Sequence, residues 1–245
     1  MTRMNLIIDV GNTYVKFAVF EDNELLSHQA VNHENASEIA KKIISDHPKL
    51  KKGIISSVGK EDNELLKVLK KHLELLILTS KTKLPFKNKY KTPKTLGVDR
   101  MALVSASVEK FSKKNVLIID AGTCITYDFI TDKNHYLGGA ISPGIRLRYD
   151  SLHNLTANLP LLEAEYPNEI IGDSTDQSIH SGVINGVLNE INGLIDEYHN
   201  KYQDLTVILT GGDTDFLAKR LKNGIFANSN FLLEGLNFIL DYNTN

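Results

Sequence analysis

Two short stretches place an acid and a glycine in the same arrangement. "DVGNTYVK" runs from Asp9 to Lys16 and "DAGTCITYD" from Asp120 to Asp128, and each Asp closes an apolar run, "NLII" or "VLII". An aspartate at the end of a buried strand is costly unless it is paired, hydrated or bound to a cation. A cation bridging phosphates is the natural use for Asp9 and Asp120. Gly11 and Gly122 let the backbone turn tightly and approach a ligand. Successive N–H groups in such a turn form a cup for phosphate oxygens, and Asn12, Thr13 and Thr123 add side-chain donors. One such turn alone reads more readily as a plain hairpin. Two at equivalent places read as paired phosphate loops that hold a polyphosphate between two domains. A third glycine turn, "TGGD" at Thr210 to Asp213, follows a strand and precedes a helix. There Gly211 and Gly212 would let an adenine or ribose lie flat. "GVDR" at Gly97 to Arg100 sets a carboxylate beside a guanidinium able to grip a substrate carboxylate with two hydrogen bonds. On the plainer reading Asp99 only charges the start of a helix from Val98 to Glu109, with Arg100 as its surface partner. No G-x-x-x-x-G-K-[ST] loop, no G-x-G-x-x-G after a strand and no protein-kinase signature set is present.

The elements that must position these residues follow from the apolar periodicity. Strands are expected at Met4 to Val10, Tyr14 to Phe20 and Leu25 to Val31. A helix follows in "NASEIAKKIISDH", with Asn35 as N-cap and Glu38 three residues on. "GIISSV" (53–58) is a buried strand, "DNELLKVLKKHL" (62–73) a helix and "LLILT" (75–79) a strand. The pattern restarts at Asn115 with strands "NVLIIDA", "CITYDFIT" and "HYLGGAI". Ile179, Val183, Val187, Ile191, Leu194 and Tyr198 then step by three or four, giving a helix with one buried stripe. "DLTVILTGGD" supplies the next strand. The halves read as a divergent duplication of one β-β-β-α-β-α unit, with domains 1–113 and 114–245. Antiparallel hairpins at both starts exclude a doubly wound dinucleotide fold.

Composition narrows the class without naming an activity. The chain has 245 residues, 42% hydrophobic and 24% charged, with formal net charge -2. That balance gives no global reason to expect nucleic acid. Cys124 is the single cysteine, which excludes an intramolecular disulfide and fits a reducing compartment. No apolar run nears the ~20 residues of a bilayer span, and the start carries no signal-peptide pattern. A cytoplasmic globular protein is expected, with no membrane partner. The eight histidines are scattered, and none pair at metal-ligand spacing. "KTKLPFKNKYKTPK" (81–94) is rich in lysine and has no period. It reads as a solvated face or as an entrance for anionic substrates.

With "DVGNTYVK", "YKTPKTLGVDR" (Tyr90 to Arg100), "DAGTCITYD", "GGAISPG" (Gly138 to Gly144) and "TGGD" in this order, the chain resembles the actin, Hsp70 and sugar-kinase superfamily. More closely, it resembles the type III pantothenate kinases over nearly its whole length. The resemblance implies an α/β fold of duplicated actin/ribonuclease-H-like domains. Each would be a mixed sheet with an antiparallel hairpin start and flanking helices. It implies phosphorylation of pantothenate by ATP with Mg2+, the first step toward coenzyme A, a monovalent cation (K+ or NH4+) and a homodimer. By the same resemblance Asp99 is the general base, and Asp9, Val10, Gly11, Asn12, Thr13, Tyr14, Val15, Lys16 and Thr123 bind ATP. Tyr90, Gly97, Val98, Asp99, Arg100 and Thr175 bind pantothenate, Thr175 from the partner subunit, and Asp120 ligates the monovalent cation. "GGAISPG" closes the pocket. Family members commonly carry alanine at the position of Cys124, which reads as a small replacement or as a thiol near the phosphates. Competing readings are a sugar kinase or exopolyphosphatase of the same superfamily, and a nucleotide-binding regulator without catalysis. "LGVDR" beside "YKTP" argues against the first, and the intact acids against the second. No helix has the composition of a DNA-reading element.

Overall fold

The computed structural model describes residues 3–57, 63–221 and 224–244. Val58 of the expected strand 53–58 and Asp62 of the expected helix 62–73 lie outside the described residues. The chain divides into two compact units. One comprises Met1–Ser112, Asn134–Tyr136 and Phe231–Asn245, the other Lys113–Lys133 and Leu137–Asn230.

The first unit opens with β1 (Met4–Val10), β2 (Val15–Glu21) and β3 (Glu24–Val31), followed by α1 (Ala36–Asp46) and β4 (Lys52–Ser57). Then come α2 (Asn63–His72), β5 (Glu74–Ile77), the two-residue β6 (Lys87–Asn88) and α3 (Val98–Lys110). Its sheet order is β3-β2-β1-β4-β5. β1 is antiparallel to β2 and parallel to β4, so Asp9 lies between Lys16 and Ser56 in register. Leu6, Ile8 and Val10 of β1 join the core of α1 and α2, whereas Ile7 joins Ala102 of α3 on the other face. Side chains alternate along a strand, so Asp9 shares the face of Ile7 and α3. Asn35 differs from its expected role. It occupies the N-cap position with φ -94° and ψ -5°, and its side chain makes no capping hydrogen bond. A 3-10 turn, His33–Asn35, runs straight into α1, which denies Asn35 the extended conformation a capping side chain needs.

The second unit repeats the plan with β7 (Asn115–Ala121), β8 (Cys124–Ile130) and β9 (His135–Pro143). The first two residues of β9, His135 and Tyr136, pair with β6 and are counted with the first unit. Then follow α4 (Ile145–Asn154), α5 (Thr175–His180), α6 (Gly186–Lys201), β10 (Leu205–Thr210), α7 (Thr214–Ala218) and β11 (Ile225–Ala227). β11-β10-β7-β8-β9 is the order β5-β4-β1-β2-β3 of the first unit. β7 is likewise antiparallel to the next strand and parallel to the later one, as expected of a duplication. The stripe on α5 and α6 is buried at Ile179, Val183, Val187 and Ile191 against Leu117, Ile119 and Leu209. A π-helical turn, Ser181–Asn185, joins the two helices. Its extra residue shifts the stripe, so Ile184 and Ile195 are buried as well, while Leu194 and Tyr198 are only partly so.

The last helix, α8 (Phe231–Thr244), rejoins the first unit and packs along α3. A Cβ at Gly235 would stand 2.7 Å from the Ala102 carbonyl carbon, so the helices approach closely only because position 235 is glycine. The Asn5 amide of β1 donates to Asn237 (2.8 Å) and Asp241 (3.1 Å) of α8. No helix among the described residues is long and apolar enough to cross a membrane.

Candidate active site

In the first unit, four charged or polar groups gather where β1 meets the start of α3. Asp9 is buried and accepts a hydrogen bond from Ser56 Oγ at 2.7 Å. Burial pushes its carboxyl above the usual aspartate range. The Ser56 hydroxyl and Lys16 pull it back, and the negative charge of Asp99 raises it further. Asp9, Lys16 and Asp99 therefore share one electrostatic neighbourhood, although 90 residues separate Asp9 from Asp99. The turn between β1 and β2 closes with Gly11 N–H donating to the Tyr14 carbonyl at 3.0 Å. Asn12, Thr13 and Tyr14 are exposed on it, while Val10 and Val15 are buried at its base. Gly11 does not adopt a positive φ. Its smallness matters instead, since a Cβ would come within 3.2 Å of the Tyr14 oxygen.

Asp99 stands in the first turn of α3, after Gly97 at the N-cap and beside Val98. Its Oδ1 accepts the Arg100 backbone N–H at 2.8 Å, and the positive end of the helix favours negative charge there. Arg100 is buried, against the plainer expectation of a surface partner. Its guanidinium carbon lies 5.7 Å from the centroid of the Tyr90 ring. Tyr90 in turn lies against Tyr136, with centroids 6.1 Å apart. A buried arginine under an aromatic wall keeps its planar fork fixed, which suits recognition of a carboxylate.

In the second unit, three loops converge on the end of β7. Gly122 N–H donates to the Cys124 carbonyl (3.0 Å), closing the turn that carries Thr123. Gly144 N–H, at the end of the "GGAISPG" stretch, donates to the Thr123 carbonyl (3.0 Å), and a Cβ there would lie 2.6 Å from that oxygen. Gly211 has φ +96°, and a Cβ on it would overlap Asp120 Oδ1 and the Ala121 carbonyl oxygen. Asp213 N–H holds the same carbonyl at 3.0 Å, and burial raises the Asp213 carboxyl. Here glycine is needed for both a left-handed conformation and a close approach. Gly122 differs: its φ is not positive, and a Cβ would meet nothing within 4 Å.

The structure also shows polar groups that sequence reasoning missed. Ser56 is visible in the sequence only as one of two serines ending a buried strand. Glu190 of α6 accepts from Tyr127 (2.8 Å) and Ser142 (2.5 Å), and pairs with Arg148 at 2.5 Å. Burial alone would raise the Glu190 carboxyl, but its three donors hold it below the usual range. Arg148 Nε also donates to the Pro143 carbonyl at 2.9 Å, so Glu190 braces the "GGAISPG" stretch from beneath. Thr175 lies elsewhere in this unit. It is exposed at the start of α5. It lines a cavity of about 900 Å3 with Arg148, Leu152, Leu159 and Ser178, and neither Asp120 nor Thr123 is in that lining. Cys124 is an exposed free thiol.

Among the described residues, no three His, Cys, Asp or Glu side chains cluster closely enough to hold a metal by themselves. Single carboxylates are what remain. The second oxygen of Asp9 carries no hydrogen bond from the described residues, and desolvation already disfavours its charge. Both features fit a cation shared with phosphate oxygens. Asp120 Oδ1 and the Ala121 carbonyl oxygen both approach Gly211, and oxygen donors of this kind are the type a hard cation takes.

Two sheets of like strand order, each with an acid–glycine turn at the end of its central strand, give this chain a fold shared with known sugar kinases. A glucokinase from an Antarctic psychrotroph matches with TM-score 0.54 at 11% identity, over 99% of this chain and 100% of that one. A Baf-family protein of Campylobacter jejuni matches with TM-score 0.63 at 23% identity, over 97% and 98%. The family model of type III pantothenate kinase matches residues 5–197. The type III pantothenate kinase of Christiangramia forsetii is 54% identical over 98% of this chain and 99% of its own. The chain belongs to the type III pantothenate kinase family.

Proposed function

We propose that the protein transfers the γ-phosphoryl group of ATP to the primary hydroxyl of pantothenate, with Asp99 as the general base. The observation that carries this reading is the grouping of Asp99, the Arg100–Tyr90 stack and the Asp9–Lys16 turn within one unit. Phosphoryl transfer needs an oriented hydroxyl, an acceptor for its proton and positive charge on the phosphoryl oxygens. Arg100 binds the pantothenate carboxylate, and Tyr90 with the Gly97–Val98 backbone shapes the pocket around it. Asp99 Oδ2 accepts no hydrogen bond from the described residues and takes the hydroxyl proton. The two acid–glycine turns bind the ATP phosphates, through the residues from Asp9 to Lys16 and through Thr123. Asp9 would hold Mg2+ and Asp120 a monovalent cation, and these ions would neutralise charge on the phosphates.

The working form is a homodimer. Ile141, Leu155, Ile170 and Ile171 are large apolar side chains 61–83% exposed in the second unit, which a partner subunit would cover in the proposed dimer. Thr175, exposed in the same unit, reaches substrate in the other subunit. An exposed lone thiol fits a reducing location, and we assign the protein to the cytoplasm.

The test is ADP release from ATP and Mg2+ with and without pantothenate, in potassium and in sodium buffer. Pantothenate-dependent release stimulated by potassium is the expected result. Release independent of pantothenate, or none, overturns the acceptor assignment. Equal rates in the two buffers remove the role of Asp120 as a potassium ligand.

A further inference from the structure

Six lysines, Lys81, Lys83, Lys87, Lys89, Lys91 and Lys94, fall in a stretch with no acidic residue between Glu74 and Asp99, in a chain of net charge -2. All six are exposed, and none forms an ion pair among the described residues. The arm that bears them is anchored. Lys87 N–H donates to the Asn134 carbonyl (2.8 Å) and Lys89 N–H to the Tyr136 carbonyl (2.9 Å). Phe86 packs edge-on to Tyr136, with centroids 5.9 Å apart, and Tyr90 lies tilted on the same ring. Lys89 and Lys91 flank Tyr90, the ring beside the Arg100 guanidinium. The positive charge is thus carried on a segment tied to His135–Tyr136 of β9, with Tyr90 and the Arg100 guanidinium beside it.

We propose that this lysine arm is an electrostatic collar that concentrates small anionic substrates at the Tyr90–Arg100 pocket. The inference rests on pantothenate, a carboxylate anion, being the acceptor. The lysines need no direct contact with it. Their summed field raises the local anion concentration and weakens with ionic strength. An ordinary solvated face would leave no such salt-dependent signature.

The experiment measures kcat/KM for pantothenate at saturating ATP in the wild type and in the triple variant Lys89→Gln, Lys91→Gln, Lys94→Gln. The control is Lys41→Gln, Lys42→Gln on α1, which packs on the opposite face of the sheet from α3. Three charges on the order of 10 Å from the anion give roughly a fourfold loss at about 20 mM ionic strength, and under about 1.5-fold at about 300 mM. The expected result is that pattern in the triple variant and no loss in the control. Three results overturn the proposal: no loss at low salt, a loss that persists at high salt, or an equal loss in the control. Failure of the acceptor reading would show separately, as absence of pantothenate-dependent ADP release by the wild type.

Discussion

Gly122→Ala should stabilise the fold and impair the enzyme. The new methyl group meets no heavy atom within 4 Å, and position 122 does not use a positive φ. Alanine is therefore compatible with the native backbone. It restricts the unfolded chain, which stabilises by about 0.4–1 kcal/mol. For a chain of this size that raises Tm by roughly 1–4 °C. The open space beside Gly122 is also where a phosphate would approach the N–H groups of the turn. A methyl group there obstructs at least one charge-assisted hydrogen bond, worth about 1.5–3 kcal/mol. The KM for ATP should rise roughly tenfold to hundredfold. Thermal unfolding without ligand and steady-state kinetics with varied ATP read the two effects separately. A wild-type KM for ATP would refute the approach of phosphates to this turn. A lowered Tm would refute the reading of the space as empty.

Gly144→Ala should act oppositely on stability. Its Cβ would stand 2.6 Å from the Thr123 oxygen and 2.9 Å from the Thr123 carbonyl carbon, backbone atoms that no rotamer change can move. A cost of about 1–3 kcal/mol follows, seen as a Tm lowered by roughly 2–12 °C; an unchanged Tm would contradict the packing. Asp99→Asn should lower kcat by roughly 10^2 to 10^4 while ATP still raises Tm as in the wild type, and near-normal turnover would remove Asp99 as base. Asp9→Asn tests the buried acid through pH. Burial raises the folded pKa of Asp9, so its contribution to stability is present at low pH and lost as pH rises through that value. The variant, which does not titrate there, should be more stable than the wild type at pH 8. That advantage should shrink as pH falls toward the unfolded value near 3.8. A pH-independent gap would show that Asp9 is not the titrating group.

Much of the scaffold is legible in the chain because it is local. β1 and β7 have the bounds their apolar runs suggest. A glycine two residues after the aspartate that closes each apolar run announces each hairpin through spacings of a few residues. The stripe from Ile179 to Tyr198 is equally plain, but the π-helical turn at Ser181–Asn185 is not, because a bulge of one residue leaves the three-four rhythm nearly intact. Asn35 shows the converse: the residue type favours a cap, and the preceding 3-10 turn prevents it.

The sequence by itself determined where the acids, the glycines and the basic arm fall along the chain, because strand, turn and helix signals act over short spans. Only the tertiary structure decided what those residues meet. Parallel pairing of β1 with β4 brings Ser56 to Asp9 across 47 positions. Strand alternation turns Asp9 toward α3, so that its acidity responds to Asp99. Packing buries Arg100 beneath Tyr90, lays α8 along α3 through Gly235, and sets Glu190 under Ser142 and Arg148. These are contacts between residues far apart in the chain, fixed by sheet register and helix docking. Neither leaves a periodic trace in the residues it joins.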